Sequence, residues 1–150
     1  MAASADFMAC NCAALRKAAR RVSLLYDRYV ARSGLTIGQY SILAEIADAP
    51  EDAPPTLGAL AQALLMDRTA LSHTLKPLER DGLVRVDSDK HDRRARRVRL
   101  TALGRKRISI ARTSWLEAQA HFSAAFGEDQ ATALRALLRM VANADFGETP

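Results

Sequence analysis

Aromatic side chains make up only 5% of this 150-residue sequence, and cysteine occurs twice. No apolar run comes near the ~18 residues that would suggest a membrane span. Each shortage excludes something. Cys10 and Cys12, one residue apart, cannot staple a secreted fold, and they are expected to be reduced thiols. Met1 to Cys12 has neither the basic lead nor the apolar stretch of a secretory signal, so the expected location is the cytoplasm and no membrane is expected as a partner. Few aromatics beside abundant alanine and leucine favour helix over sheet. The sequence has no HExxH, no glycine-rich phosphate loop and no GxSxG, and His73, His91 and His121 have no metal-ligand spacing with acids or with the cysteines. The inventory predicts no enzyme, no metal site and no cofactor.

What is present is a core and a localised charge. Hydrophobic residues at 49% over this length allow one compact unit, alone or sharing its core with a second copy. The net charge of +5 is not spread along the chain. Lys76 to Arg107 holds twelve basic residues and five acids, a balance of +7, and the remaining ten basic and twelve acidic residues sum to −2. A positive charge confined to one segment is the footprint of a partner that is a polyanion.

Periodicity organises the chain around that segment. From about Phe7 to Ala31, Cys12, Leu15, Ala19, Val22, Tyr26 and Tyr29 recur at three- and four-residue steps, one long amphipathic helix that Gly34 ends. Thr36 with Gln39 makes a capping box for a second helix, and Asp48 to Pro55, with three prolines, is a loop. Thr56 caps a short helix with Leu57, Leu60, Ala61 and Leu64 inside. Asp67 caps the next, Arg68 to about Asp81, and Gly82 stops it. Leu83 to Val86 and Arg97 to Leu100 are short strands, with Val98 and Leu100 inward and Arg97 and Arg99 outward, and Asp87 to Arg96 is the loop between them. Ile108, Ala111, Trp115, Ala118, Phe122 and Phe126 keep a helical stripe to Gly127, and Ala131, Leu134, Leu138 and Val141 begin another.

Helix, turn, helix, strand, arginine-rich tip, strand is the layout of a winged helix-turn-helix that binds duplex DNA. On the helix from Arg68, Leu71, Leu75 and Leu78 fall within ~60° of one another at ~100° per residue. Thr69, Ser72, His73, Lys76 and Arg80 take the other side, offering groups that bond phosphates and base edges in a major groove. Arg68 and Thr69, in the first turn, suit a phosphate. Pro77 removes a helical hydrogen bond to the His73 carbonyl and predicts a straight segment ending at Lys76. The tip, from Asp89 through Lys90 and His91 to Arg97, is cationic enough for a narrow minor groove, with Asp92 expected to hold Arg94. The stripes of the two terminal regions exceed what one small central module can cover, which predicts a two-fold dimer.

Leu60-Ala61 through Asp67-Arg68-Thr69, the run Leu78-Glu79-Arg80-Asp81-Gly82-Leu83-Val84, and Asp92-Arg93-Arg94 followed by Val98-Arg99-Leu100-Thr101-Ala102-Leu103-Gly104 together resemble the MarR family of bacterial transcriptional regulators. The resemblance implies a mainly α fold with a small β-hairpin wing: dimerisation helices at 7–35 and 102–146 around a DNA-binding lobe at 36–101, forming one domain. It implies a homodimeric repressor on a pseudo-palindromic operator, with half-sites about one helical turn (~34 Å) apart. By motif match Arg68, Thr69, Ser72, His73 and Lys76 enter the major groove and Arg93, Arg94 or Arg96 the minor groove. A small aromatic or phenolic effector would release the DNA, with Tyr26, Tyr29, Tyr40 and Trp115 as candidate pocket residues. Some members sense oxidants through a cysteine in the first helix, which makes a thiol switch at Cys10 or Cys12 one alternative. A winged helix used for protein contacts is the other.

Overall fold

Residues 9–89, 92 and 94–147 are described by the computed structural model. The first helix, α1 (Asn11–Val30), has Cys10 at its N-cap and passes through a tight turn at Ala31–Ser33 into Gly34, whose φ of +74° ends it as expected. The expected start near Phe7 lies outside the described residues. Asp27, on the last turn of α1, accepts the Ile37 N–H at 2.6 Å and so ties the start of α2 (Ile37–Asp48) to the end of α1. The capping box of α2 forms in full, Thr36 Oγ1 accepting the Gln39 N–H at 3.2 Å and Gln39 Oε1 accepting the Thr36 N–H at 3.0 Å.

Two short helices follow the proline loop. Thr56 caps α3 (Leu57–Ala63) by accepting the Ala59 N–H, and Asp67 caps α4 (Arg68–Arg80) by accepting the Ala70 N–H. Such a cap contributes about 1 kcal/mol. Helix α4 runs through Pro77 to Arg80, close to its expected end at Asp81, and Gly82, at φ +71°, closes it. Leu71, Leu75 and Leu78 are buried on its inner side.

The hairpin is β1 (Val84–Ser88) against β2 (Arg96–Leu100), antiparallel, with Val84 opposite Leu100, Val86 opposite Val98 and Ser88 opposite Arg96. It reaches further into the polar segment than expected, because ladder hydrogen bonds use only the backbone and Asp87 stands opposite Arg97. Val98 and Leu100 face the core as expected.

Thr101 then starts the long helix α5 (Ala102–Phe126), accepting the Gly104 N–H at 3.0 Å and donating to the Gly82 carbonyl at 2.5 Å. Gly104 is buried so close to the wing that a Cβ there would lie 2.0 Å from the Leu83 carbonyl oxygen. After Gly127 the chain turns into α6 (Glu128–Ala142). Helix α1 runs back along α5, joined by Tyr26 Oη donating to Gln119 Oε1 at 2.5 Å and by Arg32 with Glu117 at 2.8 Å.

One core unites these elements: Val30, Leu35, Leu43, Ile46, Leu60, Leu71, Leu78, Val98 and Ala111 are all buried in it. It belongs mainly to α2, α3, α4 and the hairpin, with one turn each from α1 and α5. Farther along the terminal helices burial fails. Leu24 is 59% exposed, Leu137 58% and Met140 69%.

Candidate nucleic-acid interface

On α4 the inward leucines leave Arg68, Thr69, His73 and Lys76 exposed and Ser72 half-buried. All five expected contact residues therefore stand on the outer side of one helix. The Thr74 hydroxyl donates back to the Ala70 carbonyl at 3.1 Å, so it is committed to its own helix.

The carboxylates sort the basic side chains into two groups. Arg80 is bonded to Asp81 at 3.0 Å, Arg85 to Asp87 at 2.9 Å and Arg105 to Glu51 at 2.8 Å. Arg99 Nε lies 3.4 Å from that same Asp87, and Arg97 is paired with Asp89. Arg68, Lys76, Arg94 and Arg96 have no acidic partner among the described residues. Those four are the cations expected to meet a polyanion. Arg93, with Lys90 and His91, lies outside the described residues.

The base of the wing explains how the tip is held. Asp89 is buried, its side chain 8% exposed; it accepts from Arg97 Nε and takes the Asp92 N–H at 2.9 Å on its other oxygen. Arg97 Nη1 donates to the Pro54 carbonyl at 2.6 Å, and Val98 N–H to Pro55, so the wing is fastened to the loop ahead of α3. This changes two expectations. Arg97 is not an outward cation, because Asp89 and a backbone carbonyl take its donors. Asp92 does steady Arg94, but through the Arg94 backbone N–H at 2.9 Å, and the guanidinium stays unpaired. The Asp89, Asp87 and Pro54 contacts were not seen in the sequence. Once the strand register is known, Asp87 directly opposite Arg97, with Asp89 and Arg99 each two residues further along the chain, is the signal for the carboxylate contacts.

The four aromatic candidates do not converge on one pocket. Tyr40 is buried and stacked on Trp115 with ring centroids 6.1 Å apart, and burial pushes its phenol above the ordinary range against the opposing pull of Arg112. Tyr29 Oη shares a hydrogen bond with His121 Nδ1 at 2.8 Å, beneath the Arg32 guanidinium. Tyr26, raised by burial and lowered by Arg135, lines a groove of about 490 Å³ with Val22, Phe122, Leu134 and Leu138. Cys10 is half-buried and Cys12 exposed, both as free thiols. Among the described residues no group of three His, Cys, Asp or Glu could hold a metal ion, and no helix is long and apolar enough to cross a membrane.

Comparison with known proteins agrees with this geometry. The sequence pattern of the MarR family matches residues 33–95, from the end of α1 to the wing. The transcriptional activatory protein BadR of Rhodopseudomonas palustris is 36% identical over 78 residues, covering 52% of this chain but only 45% of BadR. The transcriptional regulator HosA of Escherichia coli is 34% identical over 100 residues, 63% of this chain and 72% of HosA. The crystal structure of the Mycobacterium tuberculosis transcriptional regulator MosR in complex with DNA superposes with a TM-score of 0.79 at 35% identity, over 89% of this chain and 93% of MosR. A winged lobe fastened at Asp89, a helix α4 with its polar side outward, and the likeness to HosA and MosR along most of their length place the chain in the MarR family of transcriptional regulators.

Proposed function

We propose that the protein is a homodimeric, sequence-specific DNA-binding repressor in the cytoplasm, released from a pseudo-palindromic operator by a small ligand. The observation that carries this is the sorting of the cations. The guanidiniums of Arg94 and Arg96 on the wing, with Arg68 and Lys76 on α4, are left free of carboxylates while their neighbours are neutralised. In this reading residues 36–101 form the DNA lobe. Thr69, Ser72 and His73 address base edges from α4, Arg68 and Lys76 the backbone, and Arg93, Arg94 and Arg96 the minor groove. Residues 7–35 and 102–146 form the dimer, which is supported by the exposed apolar side chains of α1, α5 and α6. Of the aromatic candidates Tyr26 best supports a ligand role, since it alone lines one of the larger cavities.

Mobility shift on duplex DNA tests this. Raising salt from about 50 to 200 mM should cost about a thousandfold in affinity or more if the dimer neutralises six or more phosphates. In the same series Arg94→Ala should weaken operator and random duplex alike and reduce the salt slope by about two, one for each subunit of the dimer, and His73→Ala should mainly erode discrimination, by about 1–3 kcal/mol. Arg85→Ala, removing a guanidinium already held by Asp87, should change little. A flat salt response would instead favour a winged helix built for protein contacts.

A further inference from the structure

Gly58 sits in the second position of α3, where the backbone does not require glycine: its φ is not among the positive ones, and alanine would favour the helix. What occupies the space of its missing side chain is Arg68, from the first turn of α4. A Cβ built on Gly58 would lie 2.9 Å from Arg68 Nη2, 3.5 Å from Cζ and 3.6 Å from Nε, so one side of the guanidinium rests against the glycine. Among the described residues Arg68 has no carboxylate partner and no hydrogen bond, and its guanidinium occupies the space that a side chain at 58 would take. The arginines of the wing base are ordered by acids, which cancel their charge for any other partner. A guanidinium seated against glycine keeps its full charge and its donors.

We infer that Gly58 is a positioning residue for DNA binding: by leaving room for the guanidinium it pre-sets Arg68 for a backbone phosphate of the duplex. The inference rests on the DNA-binding reading and adds to it a residue that touches no DNA. An arginine free to wander must give up rotamer freedom on binding, whereas one already lodged against α3 gives up less. A methyl at 58 would displace only the tip of a flexible side chain, so the fold should tolerate it while Arg68 loses its seat.

The test is Gly58→Ala in the full chain, alone and combined with Arg68→Ala, measuring thermal midpoint and affinity for a random duplex at fixed low salt. Gly58→Ala should hold or raise the midpoint and weaken the duplex by about five- to a hundredfold, the range for two side chains, one per subunit, that must be ordered on binding. In the Arg68→Ala background the same change should have no further effect. An equal loss in both backgrounds would mean Gly58 acts through something other than Arg68 and would overturn the inference. So would wild-type affinity in Gly58→Ala while Arg68→Ala is weakened, or no effect of Arg68→Ala at all. If the unaltered protein ignored duplex DNA, the proposed function itself would fall, which is a separate and distinguishable result.

Discussion

The central lobe and the terminal helices are built to different degrees of completion. In the lobe, helices α2 to α4 and the hairpin bury nearly every large apolar side chain, with Leu43, Leu60, Leu71, Leu78 and Val98 fully enclosed. On α5 and α6 it is small residues that lie buried, Gly104, Ala111, Ser114, Ala118, Ser123 and Ala131, while Leu24 of α1 and Leu116, Phe126, Leu137 and Met140 stand exposed. Small buried residues let α1, α5 and α6 approach closely, and large exposed ones leave an apolar surface for a further layer. A lobe that closes on itself can be positioned as a rigid body; helices that do not close need a second copy to define the distance between two such lobes.

The contact that joins the two regions is the place to break the molecule. Gly104 presses on the Leu83 carbonyl while Thr101 grips Gly82, so the end of α4, the first strand and the start of α5 meet within one turn. Gly104→Ala would put a methyl 2.0 Å from the Leu83 backbone oxygen and 3.0 Å from its carbonyl carbon, atoms that cannot swing aside as a flexible side chain can. Overpacking of this kind costs about 3 kcal/mol or more. Denaturant unfolding should register that loss, and a midpoint within error of wild type would show that α5 can shift away from the wing without penalty.

A paired truncation sharpens the contrast. Leu71→Ala, inside the lobe, should cost about 2–5 kcal/mol whatever the protein concentration. Leu137→Ala, on the open surface of α6, should barely move the midpoint at high concentration and lower it on dilution, because its cost is borne by association. If both variants behaved alike on dilution, the terminal helices would not be an interface between copies.

What the sequence revealed divides along a physical line. Thr36, Thr56 and Asp67 were legible as caps because each bond spans three residues and depends on side-chain chemistry alone. The inward leucines of α4 were legible because a helical period fixes which side they share. The fate of Arg97 was not, since its partner carbonyl on Pro54 lies 43 residues away and neither periodicity nor composition relates the two. The stacking of Tyr40 on Trp115 was hidden for a similar reason: a stripe says that both point inward, not that they meet one another. Nothing in the periodicity sets the glycines at 58 and 104 apart, and only tertiary neighbours give them a role.

Within the lobe one local feature departs from its own rule, and it yields the smallest and cleanest prediction. Helices α3 and α4 end in the same motif. After α4, the Gly82 N–H reaches the Glu79 carbonyl and the Leu83 N–H reaches Leu78; after α3, the Leu65 N–H reaches Gln62 and the Met66 N–H reaches Ala61. In both, the residue just past the cap must take a left-handed backbone conformation. Gly82 does so at φ +71° without a Cβ to clash, but Leu65 does so at φ +50° with a branched side chain that is 71% exposed and gains little from burial. Leu65→Gly should therefore stabilise the lobe by about 0.5–1 kcal/mol after the added freedom of the unfolded chain is deducted, read as a higher urea midpoint at unchanged slope. Gly82→Leu is the reciprocal change and should destabilise by at least as much. Because Leu65 lies in the turn between α3 and α4, duplex affinity of Leu65→Gly decides what its strain is for. Unchanged affinity would mark the leucine as a local imperfection, and weakened affinity beside raised stability would mean the strained side chain is held out to meet the DNA.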